Sequence, residues 1–291
     1  MVWPSAFGVT MVADSFDRIV FDSGTVRIGA FRCGTEHPRF CDSGPASNYC
    51  FVFPRTAVEI EHEHERGFVA NPNVVTFYNA GQEYGRRPIS PRGDQCDWFG
   101  LDAELVRDAV RVWDPAVDER PERPFRLTRG FSNPRTYLLQ RRVFEQAALG
   151  GANTLATEEA AVGLLDAVVR AAYARSGKAR GLAAVKRDAV HEVEVILSRD
   201  WDRDLRLCDI AREAGISIYH LCRMFHRATG KTLHQYRSQL RVRASLERVC
   251  ESRDPIIEIA LDAGFSSHSH FTSAFHREFG GTPSQMRTAR F

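Results

Sequence analysis

Residues 209–232, DIAREAGISIYHLCRMFHRATGKT, and residues 258–282, EIALDAGFSSHSHFTSAFHREFGGT, state one pattern twice within 291 residues. Asp209-Ile210-Ala211 and Ala214-Gly215 recur as Glu258-Ile259-Ala260 and Ala263-Gly264, an offset of 49. Phe225-His226-Arg227, Gly230, Thr232, Gln235 and Arg237 recur as Phe275-His276-Arg277, Gly280, Thr282, Gln285 and Arg287, an offset of 50. One residue is therefore inserted just after the glycine. Each copy carries apolar residues at helical spacing (Leu207, Ile210, Ala211, Ala214, then Ile256, Ile259, Ala260, Ala263). A glycine turn follows, then a serine that opens a second helix and a glycine that closes it. That is helix-turn-helix, twice. Two copies are too few to bury a solenoid core.

In such a unit the first helix braces the second, whose early exposed residues enter a major groove that admits one helix and presents distinguishable base edges. The formal charge of the whole chain is only +2, which favours no polyanionic partner by itself. Its distribution is more informative. Residues 217–248 hold Arg223, Arg227, Lys231, Arg237, Arg241, Arg243 and Arg248 against the single acid Glu247, a basic stretch fit to meet phosphate.

The spacing of about 50 residues, bridged by the basic helix TLHQYRSQLRVRASLERV at 232–249, is more particular than a lone helix-turn-helix. Over 187–289 the chain resembles the DNA-binding domain of the AraC/XylS family of transcription regulators. The resemblance rests on IAREAGISIYHLCRMFHRATGKTLHQYRSQLRVRASLERV and IIEIALDAGFSSHSHFTSAFHREFGGTPSQMR. It implies that Ser217 caps the first recognition helix, that Tyr219, Cys222 and Arg223 face bases, and that Leu221, Met224 and Phe225 lie on the buried side. His220, Arg227 and Lys231 complete the DNA-facing set of that unit. In the second unit Ser267, His268, Ser269, His270 and Ser273 take those places, with Phe271 and Phe275 buried. None of the second set is Arg or Lys, so that helix is expected to dock on phosphates more than it reads bases. The resemblance further implies double-stranded DNA, a small-molecule effector, RNA polymerase and a second copy of the chain as partners.

Ahead of this unit the chain reads differently. RIVF, TVRIGAFRC, NYCFVFP, AVEIEHE, GFVA, VVTFYN and CDWFGL are short apolar or alternating runs separated by turn residues, the rhythm of an antiparallel barrel or sandwich. From residue 101 the period turns helical. Asn133-Pro134 marks a helix start, Thr157 another, and Gly150-Gly151 a stop between them. SGKARGLAA, 176–184, reads as a linker. The expected fold is α+β: a cupin-like sensing and dimerisation domain over 1–178, a linker over 179–186, and an all-α domain of two helix-turn-helix units over 187–291. The cupin-like resemblance is the weaker of the two. It rests on the strand rhythm, FYNAGQEYG at 77–85 and the order barrel then helices, and it implies a ligand in the barrel mouth; Phe31, Tyr49, Phe51, Phe77 and Tyr84 are the aromatic candidates to line it, although aromatics at strand spacing are core more often than pocket. Apolar stripes at Tyr137, Leu138, Val143 and Phe144, and at Leu164, Leu165, Val168 and Val169, either cover the barrel, as such stripes more often do, or offer a two-fold interface.

Seven cysteines at irregular spacing, with no CxxC, do not form a disulfide framework, and no eighteen-residue apolar run or leader pattern occurs. Reduced thiols and a cytoplasmic location are expected. Cys41, Cys50 and Cys96, with Cys33 and His37 nearby, allow a zinc or thiol-reactive site, and His62 and His64 sit two apart as on one face of a strand. Buried, inert cysteines are the simpler reading. No nucleophile elbow, phosphate loop or HExxH helix is present, so no enzyme and no obligatory cofactor are expected. A metal- or redox-sensing regulator and a metal-cupin enzyme fused to a DNA anchor stand as the alternatives.

Overall fold

β-branched and aromatic residues in alternation build the strands between residues 17 and 101. The computed structural model describes residues 16–38, 40–41, 44–149, 153–179 and 184–289. Its strands are β1 (Asp17–Asp22), β2 (Val26–Cys33), β3 (Tyr49–Pro54), β4 (Val58–His62), β5 (Phe68–Ala70), β6 (Val74–Tyr78), β7 (Tyr84–Pro88), β8 (Asp94–Leu101) and β9 (Arg129–Phe131). They pair antiparallel into a six-stranded sheet, β1-β2-β8-β3-β6-β9, and a three-stranded sheet, β5-β4-β7.

The expected barrel does not close among the described residues: β1 and β9 are free edges of the larger sheet, and the smaller sheet is a separate ladder. Turn residues mark where strands begin and end, while closure depends on which strands pair. Here β8 leaves its sequence neighbour β7 and inserts between β2 and β3. Two strands lie outside the sequence reading. β7 is YGRRP, whose two arginines, Arg86 buried and Arg87 exposed, break the apolar pattern of a strand, and β9 has only three residues.

The helices α1 (Ala103–Arg111), α2 (Pro134–Ala148) and α3 (Thr154–Ala179) follow. Asn133 caps α2 by accepting the Thr136 N–H at 2.9 Å, with Pro134 in the first turn where its missing N–H costs nothing. α3 begins one turn before Thr157, because Asn153 takes the capping role and accepts the Ala156 N–H. The stop at Gly150-Gly151 lies outside the described residues, and so does the middle of the expected linker. α3 runs to Ala179 and α4 (Ala184–Arg199) starts at Ala184.

The stripes on α2 and α3 are not surface. Tyr137, Val143, Phe144, Leu164, Leu165, Val168 and Val169 are all buried in the chain's own core beside Ile28, Phe51 and Phe99, and Leu138 packs against them. This removes the surface on which the homodimer expectation rested. An apolar stripe reports that a face is covered and not what covers it.

The C-terminal part is α5 (Leu207–Glu213), α6 (Ile218–Thr229), α7 (Leu233–Glu251), α8 (Ile256–Asp262), α9 (His268–Phe279) and α10 (Pro283–Ala289). The core of α7, α8 and α9 is continuous with that of the sheet and of α2 and α3. Tyr137 and Phe279 meet at the junction with ring centroids 6.2 Å apart. The buried amide groups of Asn71 and Asn73 find partners across the junction, as burial demands. Asn71 donates to Ser198 Oγ at 2.8 Å and to the Tyr236 hydroxyl at 2.9 Å, and Asn73 donates to the Tyr236 carbonyl at 3.0 Å. Arg55 joins buried Asp97 of β8 to Glu247 of α7 at 2.9 and 2.8 Å.

Candidate nucleic-acid interface

Both second helices start and stop by the same local chemistry. Ser217 accepts the His220 N–H and Ser267 the His270 N–H, each satisfying a donor that a helix start leaves free. Gly230 (φ 71°) and Gly280 (φ 77°) close α6 and α9 in the left-handed conformation that favours glycine. The turns between the paired helices hold Gly215 and Gly264, also left-handed. At Gly264 a Cβ would stand 2.2 Å from the Asp202 carbonyl oxygen, so the α4–α5 loop packs directly on the second turn. α7 is opened by a capping box, Thr232 and Gln235.

The two copies bury the same positions. Along 221–230 and 271–280 the sequence of buried, half-buried and exposed residues is identical. Leu221, Met224, Phe225 and Thr229 face inward on α6, and Phe271, Ala274, Phe275 and Phe279 on α9. The opposite faces are open: Ser217, Tyr219, His220, Arg223 and Arg227 on the first unit, Ser267, His268, Ser269, His270 and Ser273 on the second. Cys222 is half-buried and packs against the core of its unit. Tyr219 stands 67% exposed. The His270 ring lies against Phe265 and stacks 6.4 Å from His234 of α7.

Most of the basic stretch is spent internally. Arg237 and Arg241 donate to the Trp201 and Arg203 carbonyls, fastening the loop after α4. Arg243 is wholly buried, and Arg248 pairs with Asp254 and Asp262 at 2.7 Å each. Lys231 donates to Gln239. Arg223 and Arg227 are left on the open face, so a sequence tally that weighs each cation alike overstates the charge offered to a polyanion.

In the N-terminal half, Phe51 and Phe77 face each other across β3 and β6 and are buried, with Phe51 stacked on Phe99 at 5.2 Å. Phe51 is core, and Phe77, though buried, also edges a cavity of about 180 Å³ beside Phe125. Phe31 lies under the Arg86 guanidinium at 4.4 Å, and Tyr84 packs on Tyr78 at 4.9 Å. Tyr49 is half-buried at the start of β3. These five rings do not line one cavity. Sequence reasoning missed a cleft of about 1300 Å³ between the sheets and the helix-turn-helix half. Val74, Phe131, Ala172 and Val190 give it an apolar lining, and Arg129, Glu194, Arg187 and Arg227 a polar one. No sequence signal gathers residues from β4 to α6.

Among the described residues no three His, Cys, Asp or Glu side chains gather where one ion can be held, so Cys41, Cys50 and Cys96 do not form the metal site the sequence allowed. Cys41 is exposed, whereas packed surroundings push the Cys50 thiol up to about 12 and raise Cys96 well above its ordinary range. His62 and His64 do not share a face: His62 is buried at the end of β4, and His64 is exposed in a left-handed turn (φ 63°) beyond it. No helix among the described residues is long and apolar enough to cross a membrane.

Two helix-turn-helix units carried on one connecting helix define a DNA-binding transcription regulator. The match to a helix-turn-helix domain model spans residues 210–289. Over 86 residues the chain is 36% identical to the regulatory protein SoxS of Salmonella typhimurium, covering 30% of this chain and 80% of SoxS. It is 29% identical over 101 residues to the transcriptional regulator ExsA of Pseudomonas aeruginosa, of which it spans 36%. The chain belongs to the AraC/XylS family of transcription regulators. Among solved structures, an AraC-type regulator from Chromobacterium violaceum aligns over 37% of this chain and 96% of its own (28% identity, TM-score 0.34). ToxT from Vibrio cholerae aligns over 91% and 98% (12% identity, TM-score 0.35).

Proposed function

We propose that this regulator reads a specific DNA site through both second helices, α6 and α9, laid in successive major grooves. Arg223 is its principal base reader, since its planar fork suits guanine O6 and N7. Tyr219, His220 and Cys222 sit beside it, with Ser217 and Arg227 on the backbone, whereas Lys231, expected there from the sequence, is engaged by Gln239. On α9, Ser267, His268, Ser269, His270 and Ser273 dock more than they read. One observation carries the reading: two helices that bury the same positions present open faces of different composition. The test is to select duplexes from a random pool with the full chain and footprint them. Protection of two adjacent grooves is expected, and protection of a single groove would defeat the two-helix reading.

The regulator is further proposed to answer to a small amphipathic effector in the cleft between its halves. What favours this is a lining that combines apolar residues with four arginines, of which Arg66 and Arg129 pair with Asp188 and Glu194 while Arg187 and Arg227 also border the space. Melting the protein against a panel of small amphipathic acids should raise its transition temperature, and Val190→Trp, which fills the cleft, should abolish the rise. A Val190→Trp protein that still responds places the effector elsewhere. The metal- and redox-sensing alternatives gain no support from the placement of the cysteines.

A further inference from the structure

Arg243 lies on the connecting helix α7, yet its side chain is 0% exposed and all its partners come from other elements. Its Nη1 donates to the Pro72 carbonyl at 2.7 Å and its Nη2 to the Ser132 carbonyl at 3.1 Å, both in the N-terminal half. Its Nε donates to Glu278 Oε1 on α9 at 2.7 Å. The guanidinium also lies 4.5 Å over the Tyr137 ring, which stacks on Phe279 of the same α9. A cation this deep is tolerated only while its donors stay matched. Its partners are therefore held where the fork requires them.

Glu278 is held twice. Gln239, one turn before Arg243, donates to both Glu278 oxygens at 2.8 and 2.9 Å, while its own carbonyl accepts from Lys231, just past the end of α6. One chain of hydrogen bonds thus runs from the N-terminal half through Arg243 and Glu278 to Gln239 and Lys231, touching the C-terminal ends of both second helices. None of these groups lies at the helix N-termini, where the proposed reading residues sit.

We propose that Arg243 is a positioning residue for DNA recognition: it fixes α9 relative to α6, and the N-terminal half supplies the socket in which it does so. Glu278 and Gln239 transmit that position. The N-terminal half thereby touches the second reading helix directly, without passing through the residues that join the halves in sequence.

This rests on the proposal that both helices engage DNA, and the experiment separates the two. A duplex selected from a random pool by the full chain is footprinted with the wild type, Arg243→Gln, Glu278→Gln and the double variant, alongside thermal unfolding of each. Wild type protecting both grooves is the starting condition, and its failure defeats the two-helix reading alone. Each single variant should then lose affinity at the α9 groove by about tenfold while protection of the α6 groove persists, a difference of about 1.4 kcal/mol. The double variant should lose no more than the worse single one, because the two side chains act as one unit. Unchanged protection of both grooves, equal loss at both, or additive losses would each overturn the proposal. Should Arg243→Gln fail to fold, Glu278→Gln and Gln239→Met carry the same half-site comparison, since both leave the Arg243 contacts with Pro72 and Ser132 in place.

Discussion

The Arg223 guanidinium donates to the Tyr219 hydroxyl at 2.8 Å across one turn of α6, with its carbon 5.3 Å from the centre of the same ring. Both side chains are exposed, so nothing in the core requires the contact. It orders a long, flexible cation on the open face before any partner arrives, which lowers the entropy that binding must lose.

Arg223→Ala is accordingly expected to cost about 1–3 kcal/mol on a selected duplex and to relax preference at one or two base pairs. Tyr219→Phe, which removes only the orienting hydroxyl, should cost about 0.5–1.5 kcal/mol. His268→Ala should cost less than Arg223→Ala, because an imidazole ring cannot make the bidentate pair of a guanidinium fork. Titrations against selected and scrambled duplexes decide the matter: equal losses on both for Arg223→Ala would make it a docking residue.

Salt dependence separates the spent cations from the free ones. Arg227→Gln should reduce the slope of log affinity against log salt by about one. Arg237→Gln and Arg241→Gln should leave the slope alone and instead lower stability by about 1–3 kcal/mol in urea, since each guanidinium holds the carbonyls of the loop after α4. A reduced slope for either would show that these arginines turn outward in the complex.

Burial pushes the His62 imidazole down to about 4, while the unfolded chain titrates near its ordinary value of 6.5. On acidification through this window the unfolded state takes up a proton that the folded state refuses, so stability falls as pH falls. A difference of that size is worth about 3 kcal/mol. Urea unfolding at several pH values should show the decline, and His62→Gln should flatten that part of it. Parallel decline in both proteins would assign the proton to another group.

Thiol alkylation should sort the cysteines by setting. In the native protein at neutral pH, exposed Cys41 and Cys208 should react, while Cys33, Cys50 and Cys96 stay unmodified until denaturant is added. Mass spectrometry of the modified peptides reads this directly. Rapid labelling of Cys50 or Cys96 would reopen a redox role.

The helix-turn-helix units were legible because the chain repeats them: matched residues at a fixed offset carry turn, cap and inward face together. The N-terminal sheets were legible only as strands. Val26–Cys33 and Asp94–Leu101 announce themselves by composition, but nothing in either says that they lie side by side, since pairing is settled by packing across the whole half. Arg237 and Arg243 show the same limit for charge. Both read as surface cations in sequence, and each proves to be committed to main-chain carbonyls more than thirty residues away.

The one-residue insertion after Gly264 and the unlike open faces of α6 and α9 have a consequence for the target. A repressor that pairs two identical subunits meets a palindrome and cannot tell its left from its right. On the proposed two-helix reading, the two elements differ and stand in a fixed order on one polypeptide. A site that fits them has a head and a tail. A single molecule bound there faces one way along the duplex, so it can mark direction with respect to a neighbouring gene without help from a second copy.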